Sequence, residues 1–145
     1  MNQKAFRGLS FLLFLLTTMV VTPVTLPEAH SQPKVNCDLS HHPCTRYLPG
    51  CSVTLDINPK PVKAMHDLTF TVTLSGRNPQ ANPYIDLGMP GMDMGPNRVL
   101  LKPAGEGVYE GAGVIVRCPS GGTVWSALVT IPNLGKAEFI FEVTH

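Results

Sequence analysis

The chain has 145 residues, with 14 prolines, 13 glycines, four cysteines, 14% charged residues and a formal net charge of +1. That length holds one modest core and needs no second domain. Lys4, Arg7 and Glu28 sit in the first segment, and beyond residue 31 positive and negative side chains are equal in number. No charge excess draws the protein to nucleic acid or anionic lipid, and a polyanion-binding role is disfavoured.

Residues 1–31 place Lys4 and Arg7 ahead of an apolar run over 9–21, followed by Pro23, Pro27 and Ala29-His30-Ser31. This is the layout of a secretory signal peptide, with small residues Ala29 and Ser31 fitting the cleavage site and Gln32 as the first mature residue. The competing reading is an uncleaved membrane anchor, since apolar character extends over 9–26, about the ~18 residues at which a run qualifies as a span. Thr22, Pro23 and Thr25 weaken its far end. A lipidated cysteine is disfavoured because Lys34-Val35-Asn36, with no small residue, precedes Cys37. The expected location is the periplasm of a bacterial-type envelope or another extracytoplasmic space.

All four cysteines, Cys37, Cys44, Cys51 and Cys118, lie beyond the cleavage site, where thiols oxidise, so two disulfides are expected. Three pairings are open; the preferred one joins Cys37 to Cys44 and Cys51 to Cys118. The spacings match no zinc pattern. Residues 32–50, with Pro33, Pro43, Pro49 and the His41-His42 pair, show little apolar periodicity and read as an irregular lead-in pinned by disulfide.

From Cys51 onward, over 51–145, short apolar alternations are separated by turn residues. Val53, Leu55 and Ile57 share one face of a first strand. Leu68, Phe70, Val72 and Leu74 do so in the second, over 67–75, with threonines opposite. Further strands are predicted over 84–87, 98–102, 108–117, 123–131 and 136–143. About seven short antiparallel strands in an all-β domain of this size predict an immunoglobulin-like β-sandwich. The antibody-type Cys, Trp, Cys order is absent, since Trp125 follows Cys118 and no cysteine comes after it.

The most informative stretch is Met89-Pro90-Gly91-Met92-Asp93-Met94. Pro-Gly at the centre of four residues predicts a type II turn, whose ends lie within about 7 Å, making Met89 and Met92 neighbours. An extended exit from that turn would project Met92 and Met94 to one side. Three thioethers are soft donors suited to Cu(I), and they bind without losing a proton. A nitrogen ligand could come from His66, beside Met65, or from His41 and His42. Asp93 reads as a solvated carboxylate. The alternative for the three methionines is an adaptable apolar surface or gap filler with no metal.

The Met-Pro-Gly-Met-Asp-Met loop, Gly107-Val108-Tyr109 before a strand, and Gly121 with the alternation Trp125, Ala127, Val129, Ile131 together resemble the YtkA-like and FixH-like extracytoplasmic domains. The resemblance covers roughly residues 53–143 and omits the Cys37–Cys51 segment and Cys118. It implies an immunoglobulin-like sandwich at the outer face of the cytoplasmic membrane and, for the FixH-like branch, a link to copper delivery during oxidase assembly. As ligands it implies Met89, Met92 and Met94.

Other chemistries find little support. A blue-copper site needs two histidines and a cysteine, and no histidine or methionine closes the loop after Cys118. Neither a G-x-S-x-G elbow nor an H-E-x-x-H pair occurs, and acidic residues are scattered singly, so the chain is not expected to be an enzyme. The glycines 105, 107, 111 and 113 look like a phosphate loop but lack its spacing, and a hairpin explains them better. Tyr109 and Trp125 are expected as core anchors, and His145 as a solvated terminus. The leading expectation is Cu(I) carriage or buffering through Met89, Met92, Met94 and His66, with a metalloenzyme as possible recipient. The rival is a metal-free adaptor sandwich that binds another envelope protein.

Overall fold

The computed structural model describes residues 33–145; the expected signal peptide or anchor lies outside the described residues. The domain is built from nine strands: β1 (Cys44–Leu48), β2 (Cys51–Asn58), β3 (Asp67–Gly76), β4 (Tyr84–Gly88), β5 (Arg98–Leu100), β6 (Lys102–Gly105), β7 (Val108–Val114), β8 (Val124–Ile131) and β9 (Gly135–Glu142). They form two antiparallel sheets, β1-β2-β3-β7-β6 and β5-β4-β8-β9, packed face to face. Without β1, this is the A-B-E-D and C′-C-F-G strand order of immunoglobulin domains.

The apolar alternation produces this arrangement directly. In β2 and β3 the inward residues pair across the ladder, Val53 with Leu74, Leu55 with Val72 and Ile57 with Phe70, while the threonines of β3 stay on the outer face. The facing sheet supplies Ile85, Leu87, Trp125, Ala127, Val129, Phe139 and Phe141, all buried. Trp125 is fully buried and Tyr109 packs against the core edge, as core anchors should.

Two expectations need correction. Residues 32–50 are not irregular throughout, because 44–48 form β1, antiparallel to β2. Its pattern is hidden because the middle residue facing the core edge is Arg46, not an apolar side chain. The Arg46 guanidinium lies 5.7 Å from the Phe139 ring centroid and donates to the carbonyls of Glu138 and Asn36, so β1 is fastened to β9 by a cation that covers the core.

The single strand expected over 98–102 is two strands in different sheets. Val99 and Leu101 both point inward and are buried, so the alternation runs unbroken while the hydrogen-bond partner changes from β4 to β7. The chain crosses β7 closely there: a Cβ on Gly111 would sit 2.4 Å from the Leu100 carbonyl oxygen. Gly105 and Gly107 belong to the β6–β7 hairpin and Gly111 and Gly113 to β7, so these glycines serve tight backbone geometry. These changes raise the expected count of about seven strands to nine.

Candidate metal centre

The antiparallel registers decide which loops share an end of the sandwich. The loop after β4, the β7–β8 connection and the β2–β3 connection all leave their strands at one end. The lead-in joins them, since Ser40 Oγ donates to the Glu142 carbonyl and Lys60 Nζ to that of Leu39. The β1–β2, β3–β4, β6–β7 and β8–β9 turns occupy the other end.

At the first end the methionine loop forms the expected turn. Gly91 takes φ of 76°, Met92 N–H donates to the Met89 carbonyl at 3.1 Å, and the two methionines form an antiparallel bridge. Met94 differs in setting. Met89 and Met94 are half-buried against the core, whereas Met92 is 47% exposed, so Met92 and Met94 do not share one environment. Asp93 accepts from Gly95 N–H at 3.0 Å and shapes the loop. Asn97 anchors its far side, accepting from Leu87 N–H and donating through Nδ2 to the Val114 carbonyl.

The histidine candidates lie at the same end but are engaged locally. His66 is exposed, its Nδ1 is 2.9 Å from the Ala64 carbonyl, and it lines a cleft with Lys60 and Lys63, separate from the one beside Met89. His41 Nδ1 lies 2.8 Å from the Asp38 carboxylate, whose bond to His41 holds it below the usual aspartate range. His42 Nδ1 is 3.2 Å from the Pro43 carbonyl. Among the described residues, no three His, Cys, Asp or Glu side chains converge as a metal site.

The cysteines divide unequally. Cys37 and Cys44 form a disulfide with Cα atoms 6.0 Å apart, as expected. Cys51 and Cys118 are free and buried, which overturns the second expected pairing. Cys51 pairs with Leu48 and Gly76 at the far end of β2, while Cys118 sits beyond the end of β7. A strand as long as β2 spans roughly 25 Å, and a disulfide requires Cα atoms within about 7 Å.

Cys118 instead adjoins the methionine loop. It opens a turn through Pro119, closed by Gly121 N–H donating to its carbonyl at 3.0 Å. The thiol sulfur lies 2.9 Å from Ser120 Oγ. The Ser120 hydroxyl, helped by the backbone N–H groups of Ser120, Gly121 and Gly122, holds the thiol below the ordinary cysteine range against the opposing effect of burial. Gly122 touches both loops: a Cβ there would lie 2.5 Å from Met89 Cε and 3.8 Å from each of Met89 Sδ and Cys118 Sγ. Met89, Pro90, Gly121 and Gly122 line an open cleft of ≈ 320 Å³. Counting cysteines assigned Cys118 to a disulfide, and no motif in the chain places it beside Met89. No family model matches the chain, and neither a curated protein nor a solved structure matches it.

Proposed function

We propose that this protein works outside the cytoplasm as a Cu(I)-binding domain that carries or buffers the ion through Met89, Met92 and Met94. The observation that carries the reading is the pairing of Met89 and Met92 across the Pro90-Gly91 turn, with Met94 two residues on. The donor set suits the ion. Thioethers are soft ligands that resist disulfide formation and need no deprotonation, whereas hard cations favour several converging carboxylates, and the one carboxylate of this loop, Asp93, accepts from Gly95 N–H. Met92 faces solvent where an ion would arrive, and Met89 and Met94 rest against the core. His66, at the same end of the sandwich, is the proposed nitrogen donor. The Cys37–Cys44 bond and the export-type leader support an oxidising compartment, and the resemblance to FixH-like domains supports delivery to a metalloenzyme.

The test is competition of the purified protein against a Cu(I) chelator of known affinity, with Ag(I) as a redox-inert check. Replacing Met89, Met92 and Met94 together by leucine keeps side-chain volume, should cost below about 1.5 kcal/mol per position, and should abolish high-affinity binding. A triple variant that binds Cu(I) like the parent would sink the proposal. The adaptor reading would then stand, supported by Tyr47, 83% exposed on the free edge strand β1.

A further inference from the structure

We infer that Cys118 is a thiolate ligand of the same centre, so that the ion is held between Cys118 Sγ and Met89 Sδ, both of which lie beside Gly122. The inference rests on the soft-metal reading above and changes its chemistry from an all-thioether site to a mixed thiolate and thioether one.

The geometry allows it. Both sulfurs lie 3.8 Å from one point, the place where a Gly122 Cβ would be, so they are separated by at most twice that distance. Metal–sulfur bonds of about 2.3 Å put two sulfurs flanking an ion about 4.6 Å apart. Methionine's three rotatable bonds can make that adjustment without moving the backbone. Gly122 is required for the approach, because any side chain there would displace the Met89 methyl group. The Cys118 turn is fixed by Pro119 and the Gly121 N–H, so the thiol is positioned before metal arrives.

Charge favours the same assignment. Three thioethers leave a bound Cu(I) as an uncompensated cation beside a largely apolar wall, whereas one thiolate makes the centre neutral. The nearby carboxylate in the loop, Asp93, already accepts from Gly95 N–H. Ser120 Oγ, 2.9 Å from the sulfur, can donate to a thiolate. The thiol is also protected from oxidative loss. Cys37 and Cys44 are joined to each other, Cys51 is at the other end of the sandwich, and Cys118 is only 2% exposed. Binding replaces the thiol proton with the metal, and the proton passes to solvent.

The test uses the whole protein with its Cys37–Cys44 bond oxidised, titrated with Cu(I) against a chelator. A copper–thiolate bond gives a near-ultraviolet charge-transfer absorption that thioether ligands lack. The expected result is a one-to-one complex showing that band. Changes outside the ligand set already cost about 10–100-fold in metal affinity, so Cys118→Ser and Met89→Leu should each weaken binding at least about tenfold. Gly122→Ala should weaken it as well, and Cys51→Ser should change nothing. Parent protein that binds Cu(I) without the band, or Cys118→Ser that binds as tightly as the parent, overturns the thiolate and leaves the methionine site intact. Parent protein that binds no Cu(I) removes both. If Cys118→Ser does not fold, the absorption of the parent complex decides the matter.

Discussion

The two ends of the sandwich are built from similar turn residues and differ in what surrounds them. Gly91, Gly95 and Gly121 at the methionine end have positive φ, as do Gly50, Gly76 and Gly107 at the opposite end. At the methionine end a Cβ on any of the three would meet nothing within 4 Å. At the other end a Cβ on Gly76 would lie 2.5 Å from the Gly50 carbonyl oxygen, and one on Gly107 2.6 Å from that of Leu74. Backbone bonds stitch that end shut, from Leu74 N–H to Gly107 and from Arg77 N–H to Gly50. One end is closed scaffold and the other is open loop bearing sulfur and imidazole. The conformational demand is shared, so it cannot mark the site; the free space does.

The largest effect should come from substituting alanine at the closed end. Gly107 and Gly91 have φ of 67° and 76°, so the left-handed cost of about 1–2 kcal/mol is common to both. Gly107→Ala adds collision with a backbone oxygen, and overpacking costs roughly 1–3 kcal/mol more. Denaturant midpoints should therefore separate the two variants clearly, with Gly91→Ala the milder. Equal losses would mean that the ends do not differ in packing as described.

Next in size is the disulfide. Cys37 and Cys44 are seven residues apart, and a loop that short should stabilise the fold by about 2–3 kcal/mol in the chain-entropy account. The bond braces the lead-in at the open end, where Asn36 and Cys37 N–H also donate to the Ile140 carbonyl. Replacing both cysteines by serine should lower the unfolding midpoint accordingly, read by circular dichroism. An unchanged midpoint would show that Arg46, Lys60 and the bonds between Asn36 and Ile140 hold the lead-in without it.

The same contrast explains how far the chain could be read from its residues. β2 and β3 were legible because one face is apolar and the other is threonine-rich, and the Pro90-Gly91 turn because its two residue types demand one geometry. β1 was hidden by Arg46, which covers apolar surface with a charged side chain. The change of sheet at Leu101 was hidden because inward alternation continues from Val99 while hydrogen-bond partners change. The approach of Cys118 to Met89 depends on two connections separated by three strands in the chain, and local pattern carries no such distance. Cysteine number predicted one disulfide correctly and could not reveal that the other pair sits at opposite ends.

The smallest expected effect lies in the clamp that joins the open end to the sheet. Lys60 Nζ donates to Asp56 Oδ1 at 2.6 Å and to the carbonyls of Leu39 and Ile57, tying the lead-in to β2. Burial alone would raise the Asp56 pKa, but the bonds from Lys60 and Asn58 outweigh it and hold the carboxyl below its ordinary value of 3.8. A depressed folded-state pKa means that the unfolded chain binds the proton more tightly. The stabilisation is therefore complete above that ordinary value and is lost as pH falls through the lower folded one. Asp56→Asn should cost about 1 kcal/mol near neutral pH, the scale of a partly exposed charge-assisted pair. The difference from the parent should shrink once both are measured in acid below the Asp56 transition. A gap that stays constant across that range would assign the loss to packing around Asn58 and Lys60, and would leave the lead-in held at the open end by its disulfide and Arg46.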